Sequence, residues 1–236
     1  MSVENLLHSI VGNYLHFNRV DSYTDFPDAD SHDGQQLPRD EQGNARITFK
    51  NAPAFSAADY YNRSRDRTYA CCFSLENSHF IWDTYANGSV KGKVCIVFDF
   101  DRLRERLNQT LRPGNAVLEY DGILCHQIFS VNYGIVEYID WNTHQINTER
   151  LPNPIKYTYL KDEKKFFKEK ELRISLSALG IGQFGQVQFL PSLQLSFDFK
   201  SAIADHTIQH VQYAPDTDPD YLRSELQSLR IVPSKG

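Results

Sequence analysis

The sequence predicts an α+β fold, a single domain of mixed β-sheets with flanking helices, on three observations. Apolar residues at helical spacing, with capping signals, mark several segments of the first half. Short apolar runs between turn signals dominate the second half, and the two patterns do not alternate strictly. The chain has 236 residues, 41% hydrophobic and 23% charged, which places it among ordinary globular proteins. One core can bury roughly 70% of the surface exposed by an unfolded chain of this size, with no metal or disulfide required.

Leu6, Leu7, Ile10 and Val11 recur at helical spacing behind Ser2, a capping residue, and Gly12 and Asn13 supply the stop. Tyr14 to Val20 reads as a strand. Residues 21–51 form a long polar stretch with Pro27, Gly34, Pro38 and Gly43, read as a mobile loop and the first place to expect a lid. Ser56 caps a helix that runs to Arg67, and Tyr69 to Phe73 is a strand. Asn77 to Ala86 reads as a helix carrying Phe80, Trp82 and Tyr85, ended by Gly88 and Gly92. The unbroken apolar run Val94 to Phe98 predicts a strand buried on both faces, and Asp101 to Thr110 is a charged helix stopped by Pro113 and Gly114. Further strands are expected around Ala116 to Tyr120, Ile128 to Ile139, Leu172 to Leu176, Val187 to Phe189, Leu193 to Phe199 and Ile208 to Tyr213. A charged helix is expected within Asp162 to Glu171, and Asp218 to Leu229 is a helix with Pro219 at a permitted early position.

Net charge is −5 with the histidines neutral, so no overall basic field concentrates nucleic acid, and only a local groove could do so. Arg63, Arg65 and Arg67 are either a solvated helix face or phosphate contacts. Met1 to Gly12 lacks the basic start and apolar run of a secretory leader, and no segment approaches the roughly 20 apolar residues of a membrane span. A soluble cytoplasmic protein with no membrane partner is the expectation. Cys71, Cys72, Cys95 and Cys125 have no metal-ligand spacing and read as small core hydrophobes. Neighbouring Cys71 and Cys72 would point to opposite faces of a strand. His206 and His210 sit in a segment that looks extended, so no metal site is expected. Gly180, Gly182 and Gly185 read as a turn, and no phosphate-cradling loop or nucleophile elbow is present.

Two constellations carry chemistry. Cys72-Phe73-Ser74 ends a strand in a hydroxyl, and Trp82 and Tyr85 follow on a helix. Such a corner grips a planar ring by stacking, with Ser74 fixing a polar edge, unless the two aromatics simply pack inward. In Glu169-Lys170-Glu171-Leu172-Arg173 the strand period of two puts Glu169, Glu171 and Arg173 on one face. Lining a cleft, they form an acid/base or cation-stabilising centre in which burial raises one carboxylate's pKa and Arg173 counteracts it. Facing water, they are a ladder of weak ion pairs.

These residues, with Phe17-x-Arg19-Val20-Asp21 and Asp25, Trp82-x-x-Tyr85-Ala86, Gly92, Phe98-Asp99, the ending Ile208 to Pro215 and Ser234, resemble an uncharacterised bacterial family, domain of unknown function 2971, over most of the chain. More distantly that family resembles the NAD-using ADP-ribosyltransferases. Their pattern is an Arg, His or Tyr on an early strand, a Ser ending a middle strand, and a late catalytic Glu, often as Glu-x-Glu. The resemblance implies NAD as substrate, Glu171 as catalytic glutamate with Glu169 as its upstream partner, and Ser74 steadying the nicotinamide ribose. Tyr85 or Trp82 would stack on nicotinamide, Arg173 would hold the glutamates or a diphosphate, and Arg19 would contact phosphate. The chain departs from the pattern in having only Met1 to Tyr14 before the Phe17 motif, leaving His16 or Arg19 for the first-strand role. The interval between Ser74 and Glu171 is also long and calls for an insertion.

The function implied is transfer of ADP-ribose to a macromolecular acceptor, an RNA, DNA or protein, as in a toxin or anti-phage effector with an inhibitory antitoxin partner. The competing expectation is a non-enzymatic ligand- or protein-binding module on a degenerate transferase fold. A nuclease gains little, because the acidic motifs lack a Lys or His at metal-site spacing.

Overall fold

The computed structural model describes residues 1–25, 29–41, 46–48, 54–112, 117–120, 123–126, 128–146, 152–179 and 189–236. The chain is a mixture of helices and several small sheets, α+β as the patterning predicts. In chain order, a helix Val3–Gly12 leads into β1 (Tyr14–Arg19); β2 (Arg46–Ile47) and β3 (Phe55–Ser56) precede a helix Ala57–Asp66 and β4 (Thr68–Ser74). Helices His79–Thr84 and Phe100–Thr110 flank β5 (Val94–Phe98). Strands β6 (Val117–Tyr120), β7 (Ile123–His126), β8 (Phe129–Ile135) and β9 (Glu137–Ile139) follow in succession. A 3-10 turn Pro154–Tyr159 opens β10 (Leu160–Asp162), and one helical turn, Glu163–Phe166, comes before β11 (Glu171–Ala178). Strand β12 (Ser192–Ser196), a helix Phe199–Ala204, β13 (Ile208–Tyr213), a helix Pro219–Leu226 and β14 (Ser234–Lys235) complete the order.

Where the length favours one domain, the contacts group the chain into two compact units. One comprises Met1–His16, Asn77–Arg112 and Gln194–Gly236; the other comprises Phe17–Glu76 and Pro113–Leu193. The first unit carries the three-stranded sheet β14-β13-β5. Ser2 caps the opening helix by accepting from the Asn5 amide, and Asn13 ends it in the left-handed region at φ 50°. Val94 alone in β5 is buried, Cys95 to Phe98 are half-buried, and β5 lies at the edge of this sheet beside β13. The expectation of a strand buried on both faces is therefore corrected to an edge strand. The expected strand through Phe199 stops at Ser196, where Asp198 caps the following helix by accepting from the Ser201 amide. His206 sits in a turn at φ 62° and His210 on β13, so the pair does not share a helix.

The second unit is built on the hydrogen-bonded strands β4-β11-β8, with the Phe17–Arg19 end of β1 beside β4. Strand β11 is its spine, antiparallel to β4 from Glu171↔Ser74 to Ser177↔Thr68 and to β8 from Leu172↔Ile135 to Ala178↔Phe129. Alternation then gives two unlike faces. Ile174 and Leu176 are buried on one, whereas Glu171, Arg173, Ser175 and Ser177 are buried on the other. An apolar cluster of Leu37, Tyr61, Ile139, Trp141, Tyr157 and Leu160 packs in the same unit. Leu37 comes from the stretch predicted as a loop, which also contributes buried Asp33 and Asp40, a 3-10 turn Val20–Asp25 and strand β2. The expected strand around Ile128 to Ile139 is divided at Val136 into β8 and β9. Pro113, Gly114, Gly180, Gly182, Gly185 and most of Val187 to Phe189 lie outside the described residues, as does the side chain of Cys125.

Candidate functional site

The polar face of the second unit's sheet holds a chain of buried charges. Arg173 is 0% exposed. Its Nε donates to Glu171 Oε1 at 2.7 Å, and its Nη1 donates to Asp33 Oδ1 at 2.6 Å and to the Thr158 carbonyl at 2.7 Å. Lys161, projecting from β10, places Nζ 2.7 Å from Glu171 Oε2 and 2.8 Å from Glu169 Oε2. Burial opposes ionisation of Glu171, but Arg173 and then Lys161 outweigh it and hold the carboxyl down at about 2. Burial likewise opposes the charge of Lys161, and the glutamates, Glu171 foremost, raise its pKa despite that. For Arg173, Asp33 and Glu171 overcome the same penalty. The solvated ladder is thus excluded. The expected rise of one carboxylate's pKa is reversed for Glu171, because two cations face it where the sequence shows only one.

Glu169 reaches this cluster by a different route from the one its spacing predicts. It ends a 3-10 turn, Phe167–Glu169, and Lys170 adopts φ 46°, so the strand begins only at Glu171. Lys161 and not the strand period brings the two carboxylates together. Ser74 lies directly across from Glu171, and its Oγ is 2.8 Å from the Glu169 carbonyl and 2.9 Å from the Glu76 carbonyl, while it accepts from the Glu76 amide at 3.2 Å. Because β4 and β11 are hydrogen-bonded neighbours, no cleft separates the Ser74 and Glu171 strands, and Glu171 is 3% exposed.

Cys72, opposite Arg173 in the register, lies on that face. It is exposed, contrary to its reading as a core hydrophobe. Cys71 points to the other face and is half-buried, as is Cys95. The Tyr23 hydroxyl is 3.7 Å from Cys72 Sγ, and the Tyr138 hydroxyl accepts the Glu171 amide proton at 2.8 Å.

The remaining predicted residues do different work. Arg19 ends β1, pairs with Tyr69 in the register, and spends its guanidinium on Asp21 and the Phe189 carbonyl. It is a structural tie, with its donors turned to the protein. Trp82 and Tyr85 belong to the first unit. Trp82 Nε1 donates to Asn77 Oδ1 at 2.6 Å, and the Trp82 carbonyl accepts from Lys93 Nζ at 2.6 Å. The helix ends at Thr84, so Tyr85, extended at ψ 155° and 43% exposed, does not share a helix face with Trp82. Of the arginine trio, Arg65 donates to the Asp33 carbonyl and Arg67 to that of Ala178, while Arg63 lies 5.0 Å from the Phe55 ring centroid. These residues brace the helix against its unit, which neither expectation for them anticipates.

Sequence reasoning missed Lys161, Asp33 and Tyr138. Asp33 and Tyr138 approach Arg173 and Glu171 from distant parts of the chain, and Lys161 comes from the preceding strand β10, so no local spacing announces them. Among the described residues, no group of three or more His, Cys, Asp or Glu is arranged to hold a metal ion, and no helix is long and apolar enough to cross a membrane. Comparison with protein-family models, with curated proteins and with solved structures finds no match for this chain.

Proposed function

We propose that the protein cleaves the nicotinamide–ribose bond of NAD and transfers ADP-ribose to a macromolecular acceptor, with Glu171 as the carboxylate that stabilises the developing ribosyl cation. One observation carries the reading. An ionised glutamate begins a strand directly opposite a serine that ends its neighbour, with a second glutamate tied to the same lysine. In the reaction the C1′–N bond breaks with its electron pair going to nicotinamide, C1′ bonds to an acceptor nucleophile, and that nucleophile gives up its proton. Positive charge builds on the ribose during this step, and a fixed carboxylate already ionised stabilises it without reorganisation. A carboxylate offers roughly four acceptor positions. Arg173 takes one on Oε1 and Lys161 one on Oε2 of Glu171, leaving about two for a ribose hydroxyl.

A second reading is favoured by the same contacts. Both oxygens of Glu171 are engaged and the residue is 3% exposed, which suits a brace inside a non-enzymatic binding module. Incubation with labelled NAD and candidate RNA, DNA and proteins separates the two. Transfer by the wild type, lost in a Glu171→Gln variant of unchanged circular dichroism, is the result expected. Transfer retained in that variant removes Glu171 from the reaction. Absence of both nicotinamide release and an NAD-dependent thermal shift in the wild type leaves the binding module.

A further inference from the structure

We infer that Lys161 is a positioning residue for this site, holding Glu169 and Glu171 as one preorganised pair of carboxylates; its catalytic meaning rests on the transferase reading above. The geometry is that of a clamp. Strands β9 and β10 run parallel with Lys161 beside Tyr138 in the register. From that ribbon Lys161 takes the Oε2 atoms of both glutamates, while the Tyr138 hydroxyl takes the Glu171 backbone amide. Glu171 is therefore gripped at its side chain and at its main chain by adjacent residues of one two-stranded element. Glu169 is gripped at its carboxylate by Lys161, and its carbonyl faces Ser74 Oγ. The Lys161 ammonium also lies 5.1 Å from the Phe166 ring centroid, a cation–π contact that fixes its direction of approach.

Lys161 is not itself the acid or base. An ammonium shared by two carboxylates in a buried setting keeps its protons. Its service is to hold two carboxylates around one ammonium, where their mutual repulsion would otherwise push them apart. The charged and titratable groups around it are Glu171 and Arg173 from β11, Glu169 from the turn before it, Cys72 from β4, Tyr138 from β9 and Asp30 from the loop. Among the described residues, the carboxylates that Arg173 meets are those of Glu171 and Asp33, so Lys161 is the cation at Glu169.

The test is carried out on the full chain. Carbon-13 NMR of the glutamate side-chain carboxyls is followed against pH in the wild type, Lys161→Met and Lys161→Arg, with Glu169→Gln and Glu171→Gln giving the assignments. Lys161→Met is expected to move the Glu171 carboxyl titration up by about 1–3 pH units, and Lys161→Arg to restore most of the shift. If NAD is consumed, the acid limb of its pH–rate profile moves by the same amount in Lys161→Met. Unmoved titrations in a folded Lys161→Met overturn the inference. Should that variant not fold, nitrogen-15 NMR of the wild-type lysines decides, since a Lys161 ammonium titrating near its ordinary value of 10.5 is equally fatal. A wild type that consumes no NAD, yet whose carboxyl titrations depend on Lys161, overturns the transferase reading and upholds the clamp. Consumption of NAD with titrations indifferent to Lys161 does the reverse.

Discussion

Replacing Arg173 by Met removes the centre of the second unit's charge network, and the cost can be worked from its contacts. The guanidinium serves Glu171 Oε1, Asp33 Oδ1 and the Thr158 carbonyl at 2.6–2.7 Å. Glu171 keeps Lys161 as a counter-charge, so the uncompensated anion left behind is chiefly Asp33. Breaking a buried ion pair by deleting one partner costs about 3–5 kcal/mol, and a stranded buried carbonyl adds about 1–3 kcal/mol. A loss of about 4 kcal/mol or more is therefore expected. Arg173→Lys keeps the charge but loses the planar fork that meets several acceptors at once, and should fall at about half that loss. The chain's two tryptophans lie one in each unit, with Trp141 buried in the second. Urea unfolding followed by Trp141 fluorescence in a Trp82→Phe background therefore reads the affected unit. Adding Asp33→Asn to Arg173→Met should recover part of the loss. A loss below about 1 kcal/mol for Arg173→Met, or strict additivity with Asp33→Asn, would refute the claim that this guanidinium neutralises Asp33 inside the fold.

Two further outcomes follow from the same contacts and from the backbone. Glu171 has its carboxyl lowered from 4.5 to about 2, so its contribution is complete above about pH 4.5 and is lost as pH falls toward 2; acid unfolding monitored at Trp141 should require on the order of 3 kcal/mol less urea work at the acid end, and Glu171→Gln should flatten that slope. Gly92 has φ +93°, and a Cβ there would lie 2.6 Å from the Thr217 Cα and run into its Oγ1; Gly92→Ala should destabilise the first unit by about 1–3 kcal/mol, read as an earlier Trp82 fluorescence transition with the Trp141 transition unmoved.

What was readable from the sequence is what short-range chemistry decides. Ser2 and Ser56 announce helix starts because the hydroxyl and the amide it caps are three residues apart, and both contacts form at 3.1 Å. Pro219 takes its early helical place for the same local reason. The helix Phe199–Ala204 had a comparable signal in Asp198 followed by Ser201, but the apolar run before it pulled the reading toward a strand. The opposite faces of Cys71 and Cys72 came out as alternation requires. Alternation failed at Glu169 because Lys170 takes a positive φ, which an L residue adopts at a cost and which nothing in its neighbours demands. Lys161, Asp33 and Tyr138 were beyond reach for a different reason. Their roles depend on which strands pair, and pairing of β9 with β10 or β4 with β11 is decided by the assembled sheet.

Burying these charges needs a physical reason, since an apolar replacement of similar volume often serves stability as well or better. The network ties three segments: the loop at Asp33, the continuous run from Thr158 in the 3-10 turn to Lys161 in β10, and β11 at Glu171 and Arg173. An apolar contact tolerates sliding, whereas a guanidinium with three acceptors and an ammonium with two carboxylates accept very few arrangements. The gain is positional. It fixes Glu171 at the start of its strand, ionised and beside Ser74, to a tolerance that hydrophobic packing of the opposite face, through Ile174 and Leu176, would not impose on it. A site whose chemistry depends on where a carboxylate points has use for such a constraint, and this is the physical link between the buried charges and the transferase reading.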